Sequence, residues 1–529
     1  MRNLLRQHPV GAVCALALVC FAPLLLVRDF SLANELRYLS IADEALSGGH
    51  FFAFFNHGAP YADKPPLYFW ILMLCRAVFE KHSLAALALF SLLPAFGIVA
   101  VLDRWAFRDE TPSTRAAAAM MLLTTAMFLA MAVFVRMDML MCLWIVLALY
   151  AFSRGRSGWF GFLTFLALFT KGPVGLLLPP LGALAFLLAT GRWREMGKHF
   201  NGAFWLALAV PALGWLLGVW LEGGRDYFLN LTVHQTVGRA VHSFHHQAPF
   251  WFYCAAVWGA AAPWSLLTVP VLLASFRRPA QVLGSAHKSG AERLFAWTAV
   301  AGFVLLSLFS SKLALYLLPL MPFLVAAFVL TEQRLGWRPW MRVLLCSIAL
   351  LLAAAGGAAF AGWFIFDRLP IPEDYAFAHT PLLLLSGALL AGAGIYAFCA
   401  SRRGWQRPVL ALGAVLLLSI LIASPLLPHV NELSSYGPLC EQIREQGAPD
   451  AEVWTVGLKR PENMDVYLGR PVTAVEPEAF VQDPSQIPAG ATVVLDAKKD
   501  AAASGRYSSI LLDSGRSRVC ESTLYSIWR

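Results

Sequence analysis

The chain reads as a polytopic α-helical membrane protein of about thirteen transmembrane helices, followed by a small C-terminal α/β domain. Three observations carry this reading. Of the 529 residues, 58% are hydrophobic and 14% are charged, well below the ~25% charged of soluble domains. Mean hydropathy is +0.62. Apolar runs near the ~17–25 residues that cross a bilayer recur up to residue 428 and then stop. The net charge of +9 lies in short basic clusters between those runs. That pattern sets membrane orientation, so membrane lipids are expected as partners and nucleic acid is not.

Taken in order, the expected spans are 9–27, 84–102, 116–134, 138–153, 157–170, 173–190, 203–221, 251–274, 294–309, 312–330, 341–364, 380–399 and 408–428, some of them short. With the N-terminus inside, every inner segment is basic: Arg2 and Arg6; Arg104, Arg108 and Arg115; Arg154 and Arg156; Arg192, Arg194 and Lys198; Arg277, Arg278, Lys288 and Arg293; Arg334, Arg338 and Arg342; Arg402, Arg403 and Arg407. The N-terminal run resembles a signal peptide but lacks a clear small-residue cleavage site, so it is read as an uncleaved first span. Counting the short apolar piece 65–79 as a crossing would turn every later arginine cluster outward, so it is read as interfacial or re-entrant. The outer segments are then 28–83, 135–137, 171–172, 222–250, 310–311, 365–379 and the tail from 429. The expected domains are 1–428, with interfacial helices in the 28–83 loop, and 429–529. In the tail, 452–457, 491–497 and 507–513 look like strands and 434–446 like a helix. Cys440 and Cys520 both lie there, where either a disulfide or two free thiols would fit.

Charged residues not explained by topology gather in the outer segments. The 28–83 loop carries Glu35, Arg37, Asp43, Glu44, Asp63 and Lys64, with two prolines directly after Asp63-Lys64. Charges beside hydrocarbon are expensive and mark functional sites. Arg136-x-Asp138, Lys171-Gly172, a loop with His234, Arg239, His242, His245 and His246, and the pair Lys312 and Tyr316 follow. Ordinary roles compete: Arg136 and Asp138 could simply neutralise each other, Lys171, Lys312 and Tyr316 could anchor helix ends, and the histidines could be interfacial. Cations with acids and a phenol on one face suit transfer from a phosphate leaving group, which needs fixed positive charge and no general acid. No Gly-rich loop precedes a helix, so no nucleotide is expected.

These residues resemble the GT-C glycosyltransferases related to protein O-mannosyltransferases, and most closely the bacterial lipid A aminoarabinose transferase group. The matching pieces are Asn34-Glu35-Leu36-Arg37-Tyr38, Ile41-Ala42-Asp43-Glu44, Tyr61-x-Asp63-Lys64-Pro65-Pro66, Arg136-x-Asp138, Lys171-Gly172, the loop from His234 through Arg239 to Pro249-Phe250-Trp251-Phe252-Tyr253, Pro263-Trp264, and the run from Ser310 through Lys312 and Tyr316 to Pro319. The resemblance implies a polyprenyl-phosphate-linked sugar donor, an envelope acceptor such as lipid A, and inverting transfer at the periplasmic face of the inner membrane. It implies catalytic positions at Asn34, Glu35 and Asp138. It places the donor phosphate at Arg37, Lys64, Arg239, Lys312 and Tyr316, and a divalent ion, zinc, at Asp63 and His234. Two departures stand out. The family's leading aspartate is Asn34 here, and an amide cannot take a proton at neutral pH. Asp63 replaces the glutamate usual in the aminoarabinose branch, which leaves the sugar open. A phosphate-bearing acceptor would need no base, since its second pKa is about 6; Glu35 or Asp138 as base would leave a hydroxyl acceptor open. The competing readings are a protein O-glycosyltransferase and a non-enzymatic lipid transporter or flippase. The latter would favour ionisable groups buried mid-span, of which the expected spans are nearly free.

Overall fold

The computed structural model describes residues 8–32, 34–238, 248–277, 286–446 and 451–529. Among them, eight helices are long and apolar enough to cross a membrane, or nine if one bent pair counts as a single span. Shorter apolar helices lie at Leu67–Phe79, Asp138–Ser153, Pro173–Ala189 and Ser265–Phe276. The protein is a multi-pass membrane protein. The Leu67–Phe79 helix is only about 20 Å long at ~1.5 Å per residue, short of the ~30 Å hydrocarbon core, which suits the interfacial reading of 65–79.

Several expected spans are not single straight helices. The segment 116–134 is two helices, Pro112–Leu123 and Ala126–Val133, bent by 70°. Thr124 and Thr125 turn their hydroxyls back to the carbonyls of Met120 and Met121, a bond that bends helices. The Trp264 indole donates to Thr124 at 3.0 Å and Ala126 N–H donates to the Ala262 carbonyl at 2.7 Å, so a neighbouring turn fixes the bend. That turn interrupts the expected span 251–274, giving Phe252–Ala260 and a helix from Ser265, with Pro263 unable to donate to a helical ladder. The span expected at 203–221 runs from Gly202 to Leu229, with a break at Gly224, whose φ of 69° favours glycine.

Polar contacts sort the loops into two groups. The expected outer segments bond to one another: Glu35 to Val135 N–H, Asp138 to Lys171, Glu222 to the amides of Phe51, Phe52 and Ala53, Lys498 to Asp374, and Ser40 to Asp465. The expected inner segments do the same among themselves, through Arg115–Asp103, Gln333–Glu110, Arg334–Glu292, Trp337–Ser401 and Gln406–Thr114. One end of the bundle therefore gathers the acids, phenols and unassigned cations, and the other gathers the arginine clusters.

The last span continues through Ser424–Leu426 into the Leu427–Ser434 helix, across the expected border at 428. The sheet beyond has five strands, numbered after the short hairpin of β1 (Phe55–Asn56) and β2 (Ala59–Pro60): β3 (Val453–Val456), β4 (Val472–Val475), β5 (Thr492–Asp496), β6 (Arg518–Glu521) and β7 (Tyr525–Trp528). Its order is β4-β3-β5-β7-β6, with β3 parallel to β4 and β5, and β7 antiparallel to β5 and β6. The strand expected at 507–513 is instead the helix Arg506–Asp513. Tyr507, Ile510 and Leu511 have helical spacing and meet the core under the sheet. Gly437–Gln446 is a helix as expected. Cys440 and Cys520 are separate thiols; Cys520 donates to Gln442.

Candidate active site

The site is organised by one fully buried acid. Glu35 opens the Glu35–Gly48 helix and is 0% exposed. Arg28 forks onto both of its oxygens at 2.7 and 2.9 Å. Ser31 N–H and Val135 N–H donate to the same carboxylate at 2.7 and 2.6 Å. Arg28 also stacks over Phe134, 4.6 Å from its ring centre. Glu35 thus ties the 28–31 turn to the 133–136 turn, each of its oxygens accepting two hydrogen bonds. Glu35 was expected among the catalytic residues; its geometry is that of a buttress. Arg28, its partner, belongs to no motif in the sequence.

Around this buttress four cations meet two carboxylates. The Asn34 amide oxygen accepts from Arg37 at 3.1 Å, and Arg37 lies against Tyr61 and Tyr38, 5.8 and 6.0 Å from their ring centres. Tyr61 donates to Asp63 at 3.2 Å, and Lys64 pairs with the same carboxylate oxygen at 2.9 Å. Burial alone would push the Lys64 ammonium down; the charges of Asp63, Tyr38 and Tyr316 outweigh it and hold its pKa above the usual lysine value. Asp138 is buried between Arg136, at 3.0 Å, and Lys171. Lys171 in turn lies 4.9 Å from the Tyr316 ring centre and within electrostatic reach of Lys64. Asn34, Arg37, Asp63, Lys64, Asp138 and Tyr316 therefore fall in one neighbourhood, joined by Arg136 and Lys171. Tyr68 is a further member that no charge pattern pointed to. Its buried hydroxyl has no hydrogen-bond partner among the described residues and lies within electrostatic reach of Glu35, Tyr38, Asp138 and Arg136.

Other expected residues are placed differently. Lys312 is buried and donates to the Phe309 carbonyl, tying down its own turn. His234 is exposed in the Asn230–Gly238 stretch. Arg239, His242, His245 and His246 lie outside the described residues. From the same loop, Glu222 and Tyr227 hold the opening segment. Glu222 accepts three successive amides, and Tyr227 accepts Phe54 N–H at 2.9 Å while donating to the Tyr61 carbonyl at 2.8 Å. For a divalent ion at Asp63 and His234 the donor set is insufficient. Among the described residues no three His, Cys, Asp or Glu side chains come together as ligands, and Asp63 is engaged by Lys64 and Tyr61.

The chain is similar to known proteins. Residues 63–215 match the family model described as dolichyl-phosphate-mannose-protein mannosyltransferase. The undecaprenyl phosphate-alpha-4-amino-4-deoxy-L-arabinose arabinosyl transferase of Pseudomonas aeruginosa is 29% identical over 429 residues, 75% of this chain and 73% of that protein. The protein of the same description from Edwardsiella ictaluri is 26% identical over 407 residues, 73% of this chain and 71% of its own. The crystal structure of ArnT from Cupriavidus metallidurans bound to undecaprenyl phosphate superposes with a TM-score of 0.74 at 19% identity, covering 98% of this chain and 97% of that one. The chain is thus similar over residues 63–215 to the protein mannosyltransferase family and over about three quarters of its length to the aminoarabinose transferases, and it shares the fold of ArnT.

Proposed function

We propose that the protein is an inverting glycosyltransferase that moves 4-amino-4-deoxy-L-arabinose from undecaprenyl phosphate to a phosphate group of lipid A. One observation carries the reading: a cation-rich site in which each nearby carboxylate is already paired. Lys64 pairs with Asp63, Arg136 and Lys171 pair with Asp138, and Arg28 pairs with Glu35, while Arg37 bonds the neutral Asn34 amide. Such a site favours the polyprenyl phosphate as it leaves. The anomeric carbon–oxygen bond breaks, its electrons go to the donor phosphate, and Lys64, Arg37 and Tyr316 hold that phosphate, with Arg239 and Lys312 as further candidates. Low-dielectric, preorganised cations are worth far more here than in water.

The acceptor follows from the acids. Glu35, Asp63 and Asp138 are each paired with a cation within hydrogen-bond reach. None is poised to remove a hydroxyl proton. A phosphate monoester is already anionic near neutral pH and can attack the anomeric carbon without a base. Asn34 then serves as a neutral hydrogen-bonding group where a carboxylate would repel the incoming phosphate. The positive-inside pattern supports placing this face, and the C-terminal domain, in the periplasm, with the spans in the bacterial inner membrane.

Mass spectrometry of lipid A from wild-type and deletion cells tests the proposal. The wild type should carry a population of lipid A heavier by one aminopentose, absent in the deletion and restored by the wild-type protein but not by Lys64→Ala. Identical lipid A in all strains, or a sugar lost from envelope proteins instead, would overturn it.

A further inference from the structure

The stretch that carries Asn34 and Arg37 is gripped at both ends by the C-terminal tail. In front, the Asp29 carboxylate accepts the Ser435 hydroxyl at 2.7 Å and the Tyr467 phenol at 2.5 Å. The Asp29 amide donates to the Asn431 side chain at 2.9 Å, and Asn431 donates to the Val27 carbonyl at 2.8 Å. Gly437 packs so closely that a Cβ there would lie 1.9 Å from an Asp29 carboxylate oxygen. Asp29 immediately follows Arg28, the residue that forks onto Glu35. Behind, buried Ser40 donates to Asp465 at 2.8 Å and lies 3.3 Å from His57 Nε2. His57 Nδ1 is 3.7 Å from the same Asp465 oxygen. Ser40 follows Arg37 by three positions, so the two share a helix face.

We infer that the C-terminal domain is a positioning element of the active site, clamping residues 29–40 through Asp465 on Ser40 and through Asn431, Ser435 and Tyr467 around Asp29, so that Asn34 and Arg37 are held in register with the reacting groups. The first turn of the Glu35–Gly48 helix has no side-chain cap from Asn34, and Leu36 N–H reaches back to the Ser31 carbonyl at a long 3.3 Å, so the helix end gives the turn little hold of its own. A displacement of about 1 Å in a catalytic constellation can lower a rate by roughly a hundredfold. Asp465 acts through Ser40 and the helix, not on substrate. The inference rests on the transferase reading above, but one readout of its test does not.

The test uses the full-length protein in lipid nanodiscs, with Asp465→Ala, Asp465→Asn and Gly437→Ala made alone and combined with Arg37→Ala. Transfer kinetics and amide hydrogen exchange over residues 34–48 are both measured. Asp465→Ala and Gly437→Ala should lower kcat by roughly ten- to a hundredfold, change the donor KM less than about threefold, and speed exchange at 34–40. Asp465→Asn, which keeps an acceptor for Ser40, should recover most of both. In an Arg37→Ala background the clamp variants should add only part of the loss they cause in the wild type, because they act in part through that residue. Unchanged exchange at 34–40 in both Asp465→Ala and Gly437→Ala, or a loss that multiplies with that of Arg37→Ala, overturns the inference. If the wild type transfers no sugar, the transferase reading falls while hydrogen exchange still decides the clamp.

Discussion

Removing the Arg28 side chain would strip the buried Glu35 carboxylate of the one cation paired with it among the described residues. Glu35 is 0% exposed and Arg28 contributes two charge-assisted bonds, at 2.7 and 2.9 Å. Breaking one side of such a pair costs about 3–5 kcal/mol because the remaining charge stays buried. Two backbone bonds to Glu35, from Ser31 and Val135, remain in Arg28→Ala, so the lower end, about 3 kcal/mol, is expected. At about 1.4 kcal/mol per tenfold, local opening of the 28–36 and 133–137 turns becomes roughly 150-fold more populated. Hydrogen exchange of the Ser31 and Val135 amides in the full-length protein reads that opening directly. Arg28→Lys, which keeps the charge but loses the fork, should fall between. Exchange at both amides within about threefold of wild type in Arg28→Ala would refute the claim that Glu35 is the buttress of the site.

Three further outcomes are expected. Lys64→Ala and Arg239→Ala should each lower transfer by about 3 kcal/mol or more, by analogy with loss of one preorganised donor, with expression intact; near-wild-type turnover of a purified variant removes that residue from the site. The hydrogen bond from Lys498 holds the Asp374 carboxyl below its usual value of 3.8, so the tie between the 365–379 loop and the tail is fully present above that pH and is lost only as pH falls through the depressed value. Protection of 365–379 should therefore stay flat from pH 7 to 5 and fall in strong acid, whereas Asp374→Asn weakens it at every pH; a fall already at pH 5 would contradict the pairing. A periplasm-dependent reporter fused after Arg529 should be active and one fused at Arg278 silent, and activity at Arg278 would invert the orientation.

Most of the architecture was legible because it is written in charge and hydropathy. The alternating arginine clusters separated the two faces, and the structure joins the loops of each face to one another through pairs such as Glu35–Val135 and Gln406–Thr114. Breaks inside helices were not legible. Thr124 and Thr125 look like two small polar residues in an apolar run, and their bend depends on Trp264 and Ala262, more than a hundred positions away. In the site, charged motifs identified Arg37, Asp63, Lys64 and Asp138 without revealing who neutralises whom. Lys171 could have been a headgroup anchor, yet it closes on Asp138 beneath Tyr316. Arg28 and Asp465 were silent, because a residue whose work is to hold another carries no signature apart from its partner. In the tail, Arg506–Asp513 was misread as a strand because three of its eight residues are Ile or Leu in a row, while its core contacts follow helical spacing.

The bond made in the product tests the central claim most directly. Purified protein incubated with undecaprenyl-phosphate-linked aminoarabinose and lipid A should yield a product whose phosphorus signal shifts from monoester to diester, with the anomeric centre inverted relative to the donor. Asn34→Asp should not accelerate that reaction, since no hydroxyl proton has to be removed. No transfer at all, a sugar found on a hydroxyl oxygen, or a large rate gain in Asn34→Asp would contradict a base-free attack by an acceptor phosphate.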